Sequence, residues 1–238
     1  LPPGRQAIDT VVMGQDKLGA LVERLAAQLA EGRQAYWVCP MVREMDGPED
    51  IAAAEARYAA LHERFGDDVV MVHGQLAGEL KDAAMERFAR GDAKLLVATT
   101  VIEVGVDVPN ATLMVIEQAE RFGLAQLHQL RGRVGRGSQK SFCVLLHGET
   151  LSETAQERLK LMRQTQDGFL LAEEDLRLRG AGEVGFGAGK TGSGAADRGD
   201  ADRRRIGLAE QLDIGALFHR GRVDQRGRDE RRILANPA

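Results

Sequence analysis

The spacing of hydrophobic residues changes repeatedly along the first 150 residues of the chain. Hydrophobic side chains that recur every three or four residues predict amphipathic helices, here 18–29, 49–64, 78–90 and 124–131. Between them, short and mainly hydrophobic runs predict strands, at 8–13, 35–39, 69–72, 95–98, 113–116 and 142–146. Strands that alternate with helices are typical of a parallel α/β sheet. The pattern therefore predicts an α/β lobe over residues 1–150.

The hydrophobic pattern changes after residue 150. Helical spacing over 151–166 and again over 167–178 predicts two helices, so residues 151–184 are expected to form a helical hairpin. Residues 185–238 are rich in Gly, Ala, Asp and Arg and have almost no hydrophobic periodicity. Such a composition cannot bury a core. We expect this tail to be disordered, or to be the product of a frameshift in a GC-rich gene.

Composition narrows the class of protein. The 238 residues include only 4% aromatics, so the core must be aliphatic, and the net charge of −4 leaves room only for a local basic cleft.

Cys39 and Cys143 lie in hydrophobic runs without metal-ligand spacing, which predicts reduced thiols and a cytoplasmic location. No run approaches transmembrane length, so no membrane contact is expected. The opening Leu1-Pro2-Pro3-Gly4-Arg5 has neither an initiator Met nor a signal-peptide pattern, which predicts an internal part of a longer protein.

The segment 129–136 carries two arginines, Arg133 and Arg136, each directly after a glycine. Glycine lets the backbone approach a ligand closely, and the planar guanidinium group offers a fork of donors to phosphate oxygens. An arginine against a transferring phosphate stabilises the charge that develops there. The alternative is a basic turn whose arginines form surface salt bridges. Gln129 upstream and the strand that follows favour the functional interpretation.

A second group of residues follows the predicted strand 95–98: first Thr99 and Thr100, then Gly105 and Asp107 in the loop beyond. Hydroxyls and free backbone N–H groups suit a nucleic-acid phosphate, and a carboxylate can accept a hydrogen bond from a ribose hydroxyl. Alternatively, a threonine caps a short helix and the aspartate stabilises a turn. For each residue taken alone, that structural interpretation is the better one.

His73 and Gly74 follow the predicted strand 69–72. Ligands of open α/β sheets gather beyond the carboxyl ends of the strands, so His73 is expected there together with Thr99 and Asp107. A lone histidine is usually structural, and no nearby carboxylate or cysteine indicates a catalytic dyad or a metal site.

Taken together, these motifs resemble the second RecA-like lobe of the RecG family of superfamily-2 ATP-dependent DNA helicases. The segments 97–110 and 123–137 carry most of the resemblance, which extends to about Val184, over three-quarters of the chain. That family remodels stalled replication forks and Holliday-type junctions, driven by ATP hydrolysis with Mg²⁺. The resemblance therefore implies a lobe that contacts ATP and branched or duplex DNA in the bacterial cytoplasm, at the nucleoid.

The resemblance also implies roles for individual residues. Those expected on the nucleotide side are Gln129, Arg133, Arg136, Gly105 and Asp107. Of these, the two arginines would act as arginine fingers and the glutamine would sense the nucleotide state. Those expected to contact DNA are Thr99, Thr100, His73 and Gly74. The hairpin resembles the translocation motif of that family, and its candidates for coupling hydrolysis to movement are Arg163, Arg179 and Gly180.

Half of the expected machinery has no counterpart in this sequence. In the family, a first lobe supplies the phosphate-binding loop and most of the metal ligands, and a wedge domain lies upstream. The segment 187–191 looks like such a loop, but Val184 stands where the pattern needs glycine and no buried strand leads into it. Because metal and arginine fingers must act on one phosphate, the chain alone is expected to be inactive or nearly so. Its expected partners are that lobe and the wedge domain, within a monomer.

Two other interpretations stay open. The same lobe occurs in the transcription-repair coupling factor, whose partner is RNA polymerase, although the segments 1–5 and 36–40 favour RecG. The chain could also be an α/β binding module that has lost its chemistry. Retention of both Arg133 and Arg136 argues against that interpretation.

Overall fold

The computed structural model describes residues 7–40, 48–99 and 108–183, apart from the side chains of 179–183. All of these residues belong to one compact unit. The strands are β1 Ile8–Gly14, β2 Gln34–Val38, β3 Val69–Val72, β4 Leu95–Ala98, β5 Ala111–Ile116 and β6 Ser141–His147. The α-helices are α1 Leu18–Ala30, α2 Pro48–Phe65, α3 Gly78–Arg90, α4 Leu124–Arg131, α5 Glu153–Gln164 and α6 Gly168–Glu183.

The strands form one sheet in the order β1-β6-β5-β2-β4-β3, and every neighbouring pair is parallel. Helices cover both faces of such a sheet, so its central strands are hydrophobic at every position. All residues of β2, β4 and β5 are buried. Because both faces of the sheet are apolar, the strands appear in the sequence as continuous hydrophobic runs and not as alternating hydrophobic and polar residues.

Successive strand residues face opposite sides of the sheet. On one side, Tyr36 packs in a core with residues of α3, α4, α5 and α6, and its ring meets Phe88 of α3 edge to face at 5.0 Å between centroids. On the other side lies Trp37, with the guanidinium of Arg57 from α2 over its ring at 5.6 Å. Burying aromatic side chains of this size contributes several kcal/mol each to the free energy of folding, of the order of 3 kcal/mol.

A parallel sheet has two distinct edges, because all strands begin on one side and end on the other. We call them the amino edge and the carboxyl edge. His73 after β3, Thr99 after β4 and Glu117 after β5 lie at the carboxyl edge. Asn110 before β5 and Lys140 before β6 lie at the amino edge. At about 3.3 Å per residue, strands of this length separate the two edges by about 13 to 23 Å.

The hairpin of α5 and α6 spans both edges. Helix α5 begins after β6, and beyond its end the side chain of Gln166 reaches Ile8 at the start of β1, accepting from the Ile8 N–H at 3.4 Å and donating to its carbonyl at 3.2 Å. The turn between the helices therefore lies at the amino edge. Helix α6 returns beside α4, since Gly168 contacts His128 and Asp175 contacts Leu124.

The predicted parallel α/β sheet with flanking helices is confirmed. All four boundaries of the hairpin helices differ from the predicted 151–166 and 167–178, most of all at the end of α6. Helix α5 begins at Glu153, because Ser152 caps it by accepting a hydrogen bond from the Ala155 N–H at 3.2 Å. Helix α6 continues to Glu183, whereas the hydrophobic spacing that predicted it stops at Leu178. The predicted tail 185–238 lies outside the described residues.

Candidate functional site

The two arginines predicted to contact phosphate lie on a turn at the amino edge. Helix α4 ends at Arg131, and its last turn is prolonged by hydrogen bonds from the N–H groups of Gly132 and Arg133 to the carbonyls of His128 and Leu130, both 3.0 Å long. Gly135 then reverses the chain with a φ of +79°, a conformation that glycine adopts without steric cost. The arginine turn, as we name residues 132–136, thus leads from α4 into β6.

The arginine turn has one buried hydrophobic side chain and two arginines that are at least partly exposed. Val134 is fully buried and fixes the turn to the core. Arg133 is half-buried, Arg136 is exposed, and Gln129 is exposed on the last turn of α4. Two guanidinium groups held at one edge of a sheet are a donor set that fits a polyphosphate. The structure therefore carries Gln129, Arg133 and Arg136 on one helix end and the turn that follows it.

A second loop meets the arginine turn at this edge. A Cβ atom added to Gly137 would lie 2.5 Å from the backbone oxygen of Pro109, so only glycine allows the two backbones to come this close. Asn110 holds the same loop by donating from its side-chain amide to the Gly32 carbonyl at 2.7 Å. Residues 108–110 and the segment that follows the arginine turn therefore form one continuous surface.

One predicted position stays a prediction. Asp107 was expected with the loops beyond the carboxyl ends of the strands, and the described residues after it, 108–110, lead into β5 at the amino edge. Asp107 itself, Gly105 and Thr100 lie outside the described residues.

The described residues that were predicted to contact DNA lie at the opposite, carboxyl edge. Thr99 is fully buried, and its N–H donates to the Val72 carbonyl at 3.3 Å, which places it beside His73 across β3 and β4. His73 is 6% exposed, and within the described part of the chain its Nδ1 atom is buried without a hydrogen-bond partner. Gly74 follows in the turn closed by the bond from the Leu76 N–H to the His73 carbonyl. The structure thus brings His73, Gly74 and Thr99 together.

The comparison with known proteins decides the family. Residues 16–138, just over half of the chain, match the family described as the helicase conserved C-terminal domain. The chain belongs to this helicase family.

Individual relatives of this helicase lobe are named RecG. The ATP-dependent DNA helicase RecG of Acidithiobacillus ferridurans is 53% identical over 184 residues, which cover 77% of this chain and 27% of that protein. RecG of Escherichia coli strain K12 is 50% identical over 221 residues, covering 92% of this chain and 32% of that protein. This helicase lobe therefore spans about a third or less of the length of these relatives.

Solved structures agree on the fold of the lobe. The structure of RecG bound to a three-way DNA junction matches with a TM-score of 0.65 at 43% identity, over 77% of this chain and 24% of that one. Domain 2 of the DEAD-box helicase Mss116p, bound to an RNA duplex, matches with a TM-score of 0.52 at 20% identity, over 67% of this chain and 62% of that one. The second match concerns the fold alone. The predicted resemblance to RecG is confirmed.

The sequence interpretation of the helicase lobe missed a buried arginine. Arg131 is 2% exposed, and its Nη1 atom donates to the carbonyls of Met162 at 2.8 Å and Thr165 at 2.9 Å. Its Nη2 atom lies 3.0 Å from Nδ1 of His128. Burial lowers the pKa of the Arg131 guanidinium from its ordinary value, although the nearby Cys143 acts in the opposite direction. Arg131 thus ties α4 to the end of α5.

A charged cluster at the carboxyl edge of the helicase lobe was also missed. Glu117 accepts hydrogen bonds from the indole N–H of Trp37 and from both Nε and Nη2 of Arg57. A bidentate arginine–carboxylate pair has a fixed geometry. This cluster joins α2 to the end of β5, at the edge of the sheet where His73 and Thr99 also lie.

The predicted coupling residues lie on the two helices of the hairpin. Arg163 is exposed on the last turn of α5, one residue after Met162. Arg179 and Gly180 lie in α6, beyond Asp175 and towards the carboxyl edge, and their side chains lie outside the described residues. Among the described residues, no group of three or more histidine, cysteine, aspartate or glutamate side chains could hold a metal ion. None of the described helices is long and apolar enough to cross a membrane.

Both thiols are buried, which gives the stability of the lobe a pH dependence. Burial raises the pKa of Cys39 to about 12, helped by the charge of Glu117, and raises that of Cys143 to about 12 against the effect of Arg131. In the unfolded chain the thiols ionise near pH 9. Between these values the unfolded state binds fewer protons, so stability falls as pH rises. For each cysteine, we expect the free energy of unfolding to fall by about 1.4 kcal/mol per pH unit above pH 9.

Urea unfolding at pH 8, 9, 10 and 10.5 measures this effect. The double variant Cys39→Ala/Cys143→Ala is the control, because lysine and tyrosine titration is common to both proteins. We expect the free energy of unfolding to fall more steeply above about pH 9 in the wild-type chain than in the variant. Parallel curves for the two proteins would show that the thiols ionise equally well in the folded state.

Proposed function

We propose that this chain is the second motor lobe of an ATP-dependent DNA helicase that remodels branched DNA, such as stalled forks and Holliday junctions. The observation that carries the proposal is the distribution of predicted residues over two edges. Arg133 and Arg136 lie at the amino edge, and His73 and Thr99 lie at the carboxyl edge. A motor must bind a nucleotide and DNA at separate places and connect them.

At the amino edge, the proposed ligand is the polyphosphate of ATP. Arg133 and Arg136 would donate to oxygens of the transferring phosphate and stabilise the charge that develops as its bond breaks. Gln129, three residues before the arginine turn, would respond to the presence of that phosphate. Gly105 and Asp107 would complete the nucleotide side. Mg²⁺ would be held mainly by the first lobe, where it neutralises charge on the phosphates.

At the carboxyl edge, the proposed ligand is a DNA phosphate. Thr99 and Thr100 would offer hydroxyl donors, and the turn at His73 and Gly74 would offer N–H groups. The orphaned, buried Nδ1 atom of His73 supports this proposal, since a buried polar atom without a partner is rare. Such contacts to the backbone of DNA carry no sequence preference, which suits a protein that recognises branched structure.

The hairpin is proposed to connect the two ligands. It begins at the carboxyl edge, turns at the amino edge and returns, so it reaches both edges of the sheet. Arg163, Arg179 and Gly180 are the residues proposed to transmit movement. The partners are branched or duplex DNA and the first lobe and wedge domain of the same protein. We place the protein in the bacterial cytoplasm, acting on nucleoid DNA as a monomer.

The isolated chain tests one part of this proposal. It is expected to show no ATP hydrolysis above background, with or without branched DNA, because efficient phosphoryl transfer needs the phosphate-binding loop and metal as well as the arginines. Hydrolysis is measured as released phosphate at saturating ATP. A DNA-stimulated rate from the isolated chain would overturn the proposed division of labour.

A chimaera tests the proposed activity itself. This chain replaces the matching part of E. coli RecG, to which it is 50% identical over 221 residues. The chimaera is expected to hydrolyse ATP in a manner that depends on branched DNA and to unwind a model junction. A folded chimaera that binds a junction but shows neither activity would overturn the proposal.

A further inference from the structure

Helix α4 has no cap of its own at its first residue. The residue before it is Gly123, which has no side chain to accept a hydrogen bond from the first helical N–H groups. Gln126 accepts from the Gly123 N–H at 3.1 Å, but this bond lies outside the helix. The cap of the helix is supplied from elsewhere in the fold: the Leu124 N–H donates to the Asp175 carboxylate at 3.3 Å.

Asp175 belongs to α6, where its position is unusual for a carboxylate. It lies one turn after Leu171, which is buried, and it is itself only 8% exposed. The same stripe of the helix continues with the partly buried Leu178. A carboxylate on the buried stripe of a helix is unfavourable unless it has partners. The N-terminus of α4 is such a partner, because its N–H groups carry partial positive charge.

The other end of α4 has the reverse arrangement. There, Arg131 of α4 donates to the carbonyls of Met162 and Thr165, which belong to the last turn of α5 and the residue that ends it. Those carbonyls carry the partial negative charge of a helix C-terminus. The hairpin therefore caps the beginning of α4, and α4 caps the end of the first hairpin helix.

We propose that Asp175 and Arg131 are positioning residues, and that together they hold α4 at both ends so that the arginine turn keeps its place at the nucleotide. Gly168 supports a close fit, since a Cβ atom there would lie 2.8 Å from the ring of His128 on α4. The inference deepens the proposed function and rests on it for the catalytic consequence. Asp175 touches no nucleotide; it acts through α4.

Three variants separate charge, hydrogen bonding and simple loss of a carboxylate. Asp175→Asn keeps an acceptor oxygen and removes the charge, and Asp175→Ala removes both. Glu173→Ala is the matched control, because Glu173 is an exposed carboxylate on the same helix. Amide hydrogen exchange at 124–127 is measured in the isolated chain. The kcat and KM for ATP are measured in the chimaera with E. coli RecG.

In Asp175→Ala, exchange in the first turn of α4 is expected to speed up about fivefold, as for loss of a helix cap. Its kcat is expected to fall about ten- to a hundredfold, as for a small displacement of a catalytic group, while KM for ATP changes less than about twofold. Asp175→Asn is expected to give smaller changes in both measurements, and Glu173→Ala none.

Each alternative outcome has a definite meaning. Unchanged hydrogen exchange in Asp175→Ala would overturn the cap, and faster exchange with unchanged kcat would overturn its positioning role. An equal loss of kcat in Glu173→Ala would do the same. If Asp175→Ala does not fold, the hydrogen exchange and kcat of Asp175→Asn decide between these outcomes. A wild-type chimaera without ATPase activity would count against the proposed function, and the exchange measurement would still decide whether Asp175 caps α4.

Discussion

Replacing Arg133 or Arg136 with alanine in the chimaera is expected to lower the kcat for DNA-dependent ATP hydrolysis about a thousandfold, with a much smaller change in KM. An arginine that contacts the transferring phosphate contributes mainly in the transition state, where charge has developed, and such arginines account for roughly 10³ to 10⁵ in rate. Steady-state hydrolysis at saturating branched DNA measures both constants. Lysine at either position is expected to restore little, since a single ammonium group does not reproduce the planar fork of donors.

The matched control for these variants is Arg90→Ala. Arg90 is exposed near the end of α3 and pairs with Glu86 one turn earlier, an arrangement that contributes little to stability. Its replacement is expected to leave kcat and KM unchanged. If Arg133→Ala and Arg136→Ala also retained the wild-type kcat, the arginine turn would be a basic surface turn and the alternative in the sequence interpretation would stand.

Replacing Gly137 with alanine is expected to destabilise the lobe by about 2 kcal/mol, because the added Cβ atom would meet the backbone oxygen of Pro109 at 2.5 Å. Backbone atoms move less easily than the end of a side chain, so the arginine turn and the loop 108–110 would separate. We expect the melting temperature to fall by roughly 4 to 8 °C. In the chimaera, ATP hydrolysis is expected to fall at least about tenfold.

Gly19→Ala is the control for this substitution, with the opposite expected sign. Gly19 lies inside α1, and an added Cβ atom there meets no atom within 4 Å. Alanine stabilises a helix relative to glycine by about 0.5 to 1 kcal/mol, so the melting temperature is expected to rise. Circular dichroism measures the melting temperatures of both variants in the isolated chain. A melting temperature for Gly137→Ala at or above the wild-type value would show that the two loops are not packed closely.

Much of the fold followed from hydrophobic spacing because the strands are buried on both faces. The observed bounds of β3, β4 and α4 are those that the spacing predicts. The spatial order of the strands in the sheet could not be predicted in the same way. The sheet order β1-β6-β5-β2-β4-β3 depends on which strands pair, and all of them are similarly hydrophobic.

The candidate site was predictable where its residues are adjacent in sequence. Gln129, Arg133 and Arg136 come together because one helix and one turn carry them. The contact between Gly137 and Pro109 joins segments that precede two different strands, so only the paired sheet reveals it. The predicted positions of Thr100, Gly105 and Asp107 stay predictions, because these residues lie outside the described ones.

Arg131 and Asp175 were missed although the sequence carries a signal for both. Arg131 lies seven residues after Leu124 and four after Leu127, on the buried stripe of α4. Asp175 holds the corresponding place in α6. A charged residue at a position where the helical spacing demands a hydrophobic one indicates a buried partner. The partner itself, a set of backbone groups at a helix end, could not be identified from the sequence.

The contact of Gln166 with Ile8 has a consequence for how the sheet ends. Strand β1 is an edge strand, and its outward backbone groups offer a template on which another chain could add a strand. The side-chain amide of Gln166 occupies both the N–H and the carbonyl of Ile8, as the peptide group of a neighbouring strand would. The opposite edge strand, β3, is only four residues long. The hairpin thus covers the start of the edge strand β1 and hinders edge-to-edge aggregation. A shorter turn between its helices would expose β1 to pairing with another chain.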